Sequence, residues 1–383
     1  MRGLLQAIFL LSVSFTTYTV IGYPILLGLI ARFRYRPIRK RFEARTVTIL
    51  LPVRNGEPWL RAKLGSLFSL QYPREALKII VISDGSNDAT DSIAREFADS
   101  GRIEFLRING GGKAAALNAG LAQARGEILF FTDVRQDLEP ESLRNLVACF
   151  NDPDVGVASG ELVIRCRDGH GEEPVGSYWR YEKWLRNRES QIDSVMGATG
   201  CIYAMRRELA TPLAPGVLVD DMFLPLAAFF RGYRIVLDGT AKAFDRPAVL
   251  RDDFWRKVRT QAGVFQIIAL YPRLLMPTNR MWPAFWSHKV ARLLLPYALL
   301  LSGLTTFALK TPWRTGALCI QLLLYGLALA DLWLPERIRL KRVTSSLRTF
   351  LVLMAAAFCA VLILFVPSED LWRDTRARPS PQP

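Results

Sequence analysis

Between Arg2 and Arg32 lie 29 residues, Gly3 to Ala31, without a single Asp, Glu, Lys or Arg. A helix of roughly 20 apolar residues crosses a hydrocarbon core, so this run is long enough to span a bilayer. A cleaved signal peptide would carry an apolar region of only about 7 to 15 residues ending in small side chains. This run ends in Arg32-Phe33-Arg34-Tyr35-Arg36 instead, and we read it as a membrane anchor. Segment 31–46 adds seven basic residues (Arg32, Arg34, Arg36, Arg39, Lys40, Arg41, Arg45) against the one acid Glu43. Lys and Arg collect on the cytoplasmic side of a membrane, which places this end of the anchor inside the cell and the N-terminus outside.

Apolar runs return at Leu293 to Leu309, Thr315 to Ala330 and Thr349 to Ser368, predicting three further spans. The loop expected in the cytoplasm holds Arg337, Arg339, Lys341, Arg342 and Arg348, whereas the external turn holds only Lys310 and Arg314. Four spans put both termini outside. Ahead of the second span, Tyr271 to Trp286 mixes Pro272, Pro277 and Pro283 with Trp282, Phe285 and Trp286, a composition suited either to a segment lying along the headgroups or to a buried irregular loop. The net charge of +15 is then explained by membrane topology; its basic residues cluster beside the spans instead of interleaving with aromatics along the domain between them, which argues against nucleic-acid binding. Five scattered cysteines without a C-x-x-C pair support neither a disulfide framework nor a thiolate zinc site, and two histidines leave little room for Ser-His-Asp chemistry.

Residues 46–150 alternate between strand and helix patterns. Strands are expected at 46–53, 77–83, 103–108 and 127–132, and helices at 58–70, 89–98, 113–124 and 140–150. Continuous apolar runs such as Ile79-Ile80-Val81-Ile82 require burial on both faces, which a mostly parallel α/β sheet with helices on each side provides. Such sheets bind ligands at the carboxyl ends of their strands. Polar clusters stand there: Arg54-Asn55-Gly56-Glu57 after the first strand, Asp84-Gly85-Ser86 after the second and Asp133-Val134-Arg135 after the fourth. Gly110-Gly111-Gly112-Lys113 opens a helix, where free backbone N–H groups and an ammonium suit phosphate. Arg107 and Ala114 occupy positions where a Walker motif needs Gly and Ser or Thr, so this is not a P-loop.

The ordered set Pro52-Val53-Arg54-Asn55-Gly56-Glu57, Ser83-Asp84-Gly85-Ser86, Gly112-Lys113-x-x-Ala116-Leu117-Asn118, Phe131-Thr132-Asp133-x-Arg135 and Val219-Asp220-Asp221 resembles the family 2 inverting glycosyltransferases. It is most similar to the membrane-embedded branch with cellulose, hyaluronan and poly-N-acetylglucosamine synthases. The resemblance covers roughly residues 46–270. It implies a GT-A type, Rossmann-like fold and a nucleotide-sugar donor, UDP-linked in that branch. Glu57 and Asp84 would hold the uridine, and Lys113 and Asn118 would lie against the nucleotide. Asp133 would meet the sugar nucleotide and a divalent Mg²⁺ or Mn²⁺. The D-x-D motif is incomplete, because Arg135 stands where the second Asp belongs; it either supplies charge to the diphosphate or neutralises Asp137 or Glu139. Asp221 would be the general base, with Asp220 beside it, and a single displacement with one base implies inversion. In the place of the processive synthases' Q-x-x-R-W stands Arg256-Lys257-Val258-Arg259-Thr260, where Arg256 and Arg259 share a helix face and could meet the diphosphate or acceptor. The departure from that motif puts processive polymerisation in doubt.

Two segments stay open on the residues alone. Tyr178, Trp179, Tyr181 and Trp184 fit either an acceptor platform or a helix core, and Gly200 is expected to supply backbone room only. The expected organisation is an anchor and basic segment (1–45), a cytoplasmic catalytic domain (46–270), an interfacial segment (271–289), three spans (290–368) and a polar tail (369–383). Such a chain would be a multi-pass protein of the inner (plasma) membrane, passing sugar to a glycan or lipid-linked acceptor. A dimer or an export partner would widen a passage that three or four helices leave tight. The competing class is a catalytically weak sugar-nucleotide-binding subunit of an assembly complex. A transporter is disfavoured by spans lacking internal charge apart from Asp331.

Overall fold

The computed structural model describes residues 1–165, 176–245, 250–335 and 338–366. The chain forms two compact units. One gathers residues 1–34, 174–188 and 249–376; the other gathers 35–173 and 189–248.

The second unit is built on an eight-stranded sheet: β1 (Val47–Val53), β2 (Leu77–Asp84), β3 (Glu104–Ile108), β4 (Ile128–Thr132), β5 (Asp137–Leu138), β6 (Val155–Ile164), β7 (Ile202–Arg206) and β8 (Arg234–Asp245), in the order β3-β2-β1-β4-β7-β6-β8-β5. The alternating stretch forms the parallel half, β3-β2-β1-β4, as its apolar runs require. Beyond it the sheet is mixed: β7 runs antiparallel to β4 and β6, β6 pairs parallel with β8, and β5 closes the edge antiparallel to β8.

Alternation along β1 assigns the two faces, because successive side chains of a strand point to opposite sides. Val47, Ile49, Leu51 and Val53 join a core with Leu60, Leu64 and Leu67 of helix Glu57–Phe68. Leu50 faces the other way, with Ile82, onto helix Gly112–Gln123, where Gly120 lets the layers close: a Cβ there would stand 2.9 Å from Leu50 and 3.0 Å from Ile82. Helices therefore cover both faces. The basic segment after the anchor is partly tied down on this unit, with Arg36 paired to Asp154 at 2.6 Å and Lys40 to Asp238 at 2.7 Å. Part of its charge is thus spent on the sheet domain.

The other unit holds four helices long and apolar enough to cross a membrane: Arg2–Phe33, Trp282–Ala308, Trp313–Ala330 and Lys341–Leu364. On Trp313–Ala330, Ile320, Leu322 and Leu323 are each more than 60% exposed, the composition of a face that lipid would cover. The last helix begins at Lys341, eight residues before the expected span, because the buried Asp331 recruits the basic segment: Lys341 lies 3.4 Å and Arg348 3.1 Å from its carboxylate. Residues 367 and 368 of that expected span, the tail from 369, and Arg337 lie outside the described residues. The Tyr271–Trp286 segment is a short turn at Pro272–Leu275, and from Trp282 it is the first part of the 27-residue helix.

Helix Trp282–Ala308 also carries charge that its apolar composition hides. Arg292 bonds the Glu182 carboxylate and the Tyr178 hydroxyl, and His288 lies 3.1 Å from Glu182. Burial works against the Glu182 charge, but Arg292 and His288 outweigh it and hold the carboxyl well below its usual range. Tyr178 and Tyr181 lie against the Arg292 guanidinium at 5.9 and 5.7 Å, so these aromatics serve the helix packing of this unit. Tyr18 and Ser287, each in a π-helical stretch, join Arg2–Phe33 to the same helix at 2.8 Å.

Candidate active site

Strands β2, β1 and β4 are parallel, so their carboxyl ends share one edge and the polar clusters behind them converge. The first two loops are laced together. Asn55, at φ 52°, donates its backbone N–H to Ser86 Oγ at 3.1 Å, and its side-chain oxygen accepts from the Asn87 N–H at 3.0 Å. Asn is among the few residues that tolerate this left-handed conformation. Gly56 N–H donates to Thr90 Oγ1 at 2.7 Å, and Glu57, opening its helix, accepts from the Ala89 N–H at 3.1 Å.

Asp84 ends β2 and is buried; it accepts from the Gly112 N–H at 3.2 Å and stands 3.6 Å from Arg54. Gly110, Gly111 and Gly112 all adopt positive φ (92°, 122°, 80°), which brings the start of the next helix against Asp84. That helix start delivers Lys113, whose ammonium lies 2.9 Å from Asp133 and 3.1 Å from Asp220. Burial opposes the Lys113 charge, yet the two carboxylates outweigh it and raise its proton affinity above the ordinary value.

Asp220 and Asp221 open helix Asp220–Phe230. One Asp220 oxygen meets Lys113; the other, Oδ2, is buried without a hydrogen-bond partner among the described residues. Asp221 carbonyl accepts from the Ala198 N–H at 2.7 Å, which docks the Gly197–Gly200 turn on the helix start. A Cβ at Gly200 would stand 3.0 Å from Asp221 Oδ2. Glu57, Asp84, Lys113, Asp133, Asp220 and Asp221 thus form one connected rim.

The remaining expected residues lie differently. Asn118 spends its amide on the backbone of Leu213, donating at 2.9 Å and accepting at 2.8 Å, so it braces that segment. Arg135 pairs at 3.4 Å with Asp245, a partner absent from both sequence readings, and Gln136 bonds the same carboxylate at 2.6 Å. Arg256 and Arg259 stand on helix Leu250–Leu270, in the unit that holds the long apolar helices. Among the described residues no cluster of three or more His, Cys, Asp or Glu is arranged about a point; Asp133 and Asp220, which share Lys113, carry carboxylate oxygens of the kind a hard cation takes.

Two residues escaped the sequence. Lys63 is 1% exposed beneath the β4 turn; the signal was a Lys on the Leu60-Leu64-Leu67 stripe. Tyr203 of β7 stacks on Phe131 at 4.4 Å with its hydroxyl buried and unpartnered among the described residues. Burial, then the charges of Asp220, Asp221 and Asp133, push its phenol upward, so it stays a neutral donor.

Residues 48–211 match the family model described as Glycosyl transferase family 2. The chain is 32% identical over 245 residues to a probable glycosyltransferase, YdaM, of Bacillus subtilis (strain 168), covering 58% of this chain and 56% of YdaM. It is 33% identical over 122 residues to the poly-beta-1,6-N-acetyl-D-glucosamine synthase of Staphylococcus epidermidis, covering 31% of this chain and 29% of the synthase. The chain therefore spans about half or less of the length of these curated relatives. Among solved structures, the mannosyltransferase PcManGT from Pyrobaculum calidifontis, in complex with GDP-Man and Mn²⁺, superposes with a TM-score of 0.74 at 22% identity, covering 94% of this chain and 99% of PcManGT. The likeness establishes a shared GT-A fold.

Proposed function

We propose that this chain is a membrane glycosyltransferase that moves a hexose from a UDP-linked donor, with inversion, to a glycan or lipid-linked acceptor at the cytoplasmic face of the cell's inner membrane. The observation that carries the reading is the Lys113 ammonium held between Asp133 and Asp220 at the carboxyl edge of the parallel strands, beside Asp84.

In this reading Glu57 and Asp84 receive the nucleoside, Lys113 meets the diphosphate, and Asn118 acts through the Leu213 backbone it braces. Asp221 takes the proton of the acceptor hydroxyl as that oxygen attacks the anomeric carbon from the side opposite the leaving UDP. The carbon inverts, and no second carboxylate is needed as nucleophile. Asp220 shares Lys113 with Asp133 and sets the charge beside the base. Charge builds on the departing diphosphate, and fixed cations placed where it develops lower the barrier. Lys113 is one; Arg135, Arg256 and Arg259 are assigned to the same leaving group or to the acceptor.

The donor set at this edge fits Mg²⁺ or Mn²⁺, which take hard oxygen ligands and are commonly held by one or two carboxylates plus substrate phosphates. Asp133 would hold such an ion, and bound there it would act as a Lewis acid on the diphosphate. The four apolar helices, the basic segment after the first, the catalytic stretch 46–270 and the 271–289 segment that leads into the second of those helices would seat the enzyme where a cytosolic activated sugar meets a bilayer-borne acceptor. A second copy or an export partner would accompany it if the product crosses the membrane.

The test uses purified full-length protein in lipid nanodiscs with a panel of UDP-sugars and GDP-mannose, with Mg²⁺, Mn²⁺ or chelator, following released nucleotide and the anomeric configuration of the product. Turnover of one UDP-sugar with inversion, lost in Asp221→Asn, is the expected result. Binding without turnover in wild type would leave the non-catalytic subunit as the reading, and equal turnover by wild type and Asp221→Asn would remove Asp221 as the base.

A further inference from the structure

Lys63 has no part in the chemistry assigned above, yet it occupies a costly position. Its neighbours on helix Glu57–Phe68 are the buried Leu60, Leu64 and Leu67, and it is itself 1% exposed. Its ammonium donates to Thr132 Oγ1 at 2.7 Å and to the Gln136 carbonyl at 2.6 Å, both uncharged partners. Burial drives its proton affinity down to about 8 from 10.5, with Asp133 and Asp137 among the charges acting in the opposite sense. A buried charge is a stability cost that an apolar side chain of similar volume would avoid. Such costs gather where a site needs fixed geometry.

The two partners flank Asp133, one residue before it and three after. From Thr132 the connection continues: its hydroxyl donates to the Cys201 carbonyl at 2.9 Å. Cys201 follows Gly200, the residue packed against the Asp221 carboxylate. From Gln136 a second arm runs to Asp245, which also holds Arg135. One ammonium therefore fixes the turn that carries Asp133 and, through a single hydroxyl, the turn that faces Asp221.

We infer that Lys63 is a positioning residue that locks the donor-side carboxylate Asp133 and the acceptor-side carboxylate Asp221 into one geometry through Thr132 and the Cys201 carbonyl. The inference rests on the glycosyltransferase reading of those two acids. Lys63 touches neither substrate; it acts on where the two reacting partners are held. A misplacement of about 1 Å between reacting groups costs on the order of a hundredfold in rate.

The experiment compares wild type, Lys63→Met, Thr132→Val and the double variant as full-length protein in nanodiscs, with the UDP-sugar that wild type consumes. Turnover, donor KM, UDP affinity and melting temperature are measured for each. The expected result is a kcat reduced roughly ten- to a hundredfold in each single variant. UDP affinity should stay within about threefold, the melting temperature of Lys63→Met should not fall, and the double variant should turn over no more slowly than the slower single, as for residues in one connection. Wild-type kcat in Lys63→Met overturns the inference, as do losses that multiply in the double variant. If Lys63→Met does not accumulate, Thr132→Val carries the test alone, and a wild-type kcat there overturns it. Inactivity of wild type toward every donor overturns the glycosyltransferase reading and this inference with it, whereas an active wild type matched by its variants overturns this inference alone.

Discussion

Gly200 presents its bare backbone to the carboxylate of Asp221, close enough that a Cβ would lie 3.0 Å from Oδ2. A single methyl group is therefore a probe of where that carboxylate must stand. Gly200→Ala forces Asp221 aside by a few tenths of an ångström without changing any ionisable group. We expect kcat to fall by about ten- to a hundredfold, with the melting temperature nearly unchanged. Nucleotide release in nanodiscs, measured beside Asp221→Asn, checks this; a wild-type kcat in Gly200→Ala would show that the Asp221 carboxylate does not act in the orientation seen here.

Lys113 neutralises two acids at once, so its removal should separate binding of a metal ion from catalysis. In Lys113→Met the carboxylates of Asp133 and Asp220 lose their shared partner. We expect Mn²⁺ to bind the donor-free protein more tightly, since two uncompensated carboxylates are a better cation site. Transfer should nonetheless slow by about a hundredfold or more because the diphosphate loses a fixed charge. Calorimetry with Mn²⁺ alone and a turnover assay read the two effects separately, and weaker Mn²⁺ binding in the variant would contradict the charge assignment.

The buried Lys63 predicts a pH dependence of stability. Its ammonium releases its proton near 8 in the fold but near 10.5 when unfolded. Between those values the unfolded chain binds more protons, so stability rises with pH through that window, by about 3 kcal/mol in total. Burial raises the Cys149 and Cys201 thiols, which pull the other way above their ordinary titration range. The Lys63 contribution is therefore read between pH 8 and 9 as the difference between wild type and Lys63→Met in denaturant or thermal unfolding. An identical slope in both proteins would show that Lys63 does not titrate there.

Within the unit of long helices, Glu182 is the partner of Arg292 and His288. Glu182→Ala leaves a largely buried guanidinium unpaired, which typically costs about 3–5 kcal/mol. Glu182→Gln retains an acceptor oxygen and should cost less. The folded fraction recovered from detergent by size exclusion should follow wild type, Gln, Ala in descending order; equal recovery of all three would mean that the ion pair is dispensable.

Strands β1, β2 and β4 were legible because they are mostly buried on both faces and so are written as nearly unbroken apolar runs, each closed by the polar residues that form the rim, whereas the edge strand β3 is partly exposed. The strands β5, β6 and β8 were not. β5 has two residues, and β6 is interrupted by Gly156, Gly160 and Glu161 where its pairing with β8 shifts register. Site acids at strand ends were readable for the same reason the strands were. Partners were not: Asn118 finds Leu213, 95 positions away. Arg135 finds Asp245 and not the nearby Asp137 or Glu139, because β5 pairing sets Asp137 opposite Phe244 and so brings Asp245 alongside. Lys63 belongs to no motif, and its burial comes from its place on the Leu60-Leu64-Leu67 stripe of the helix packed against the sheet.

The pairing of β5 with β8 also has a bearing on the order in which the chain can complete its fold. Asp137 and Leu138 wait for Phe244 and Ala243, and the residues after Asp133 wait for Asp245. On a ribosome the first apolar helix and the first five strands emerge long before β8 does. Until synthesis has passed Asp245, the growing chain has its acids but not the brace that fixes the turn behind Asp133. On the glycosyltransferase reading proposed above, the donor-side turn would therefore reach its final geometry only once β8 has joined the sheet.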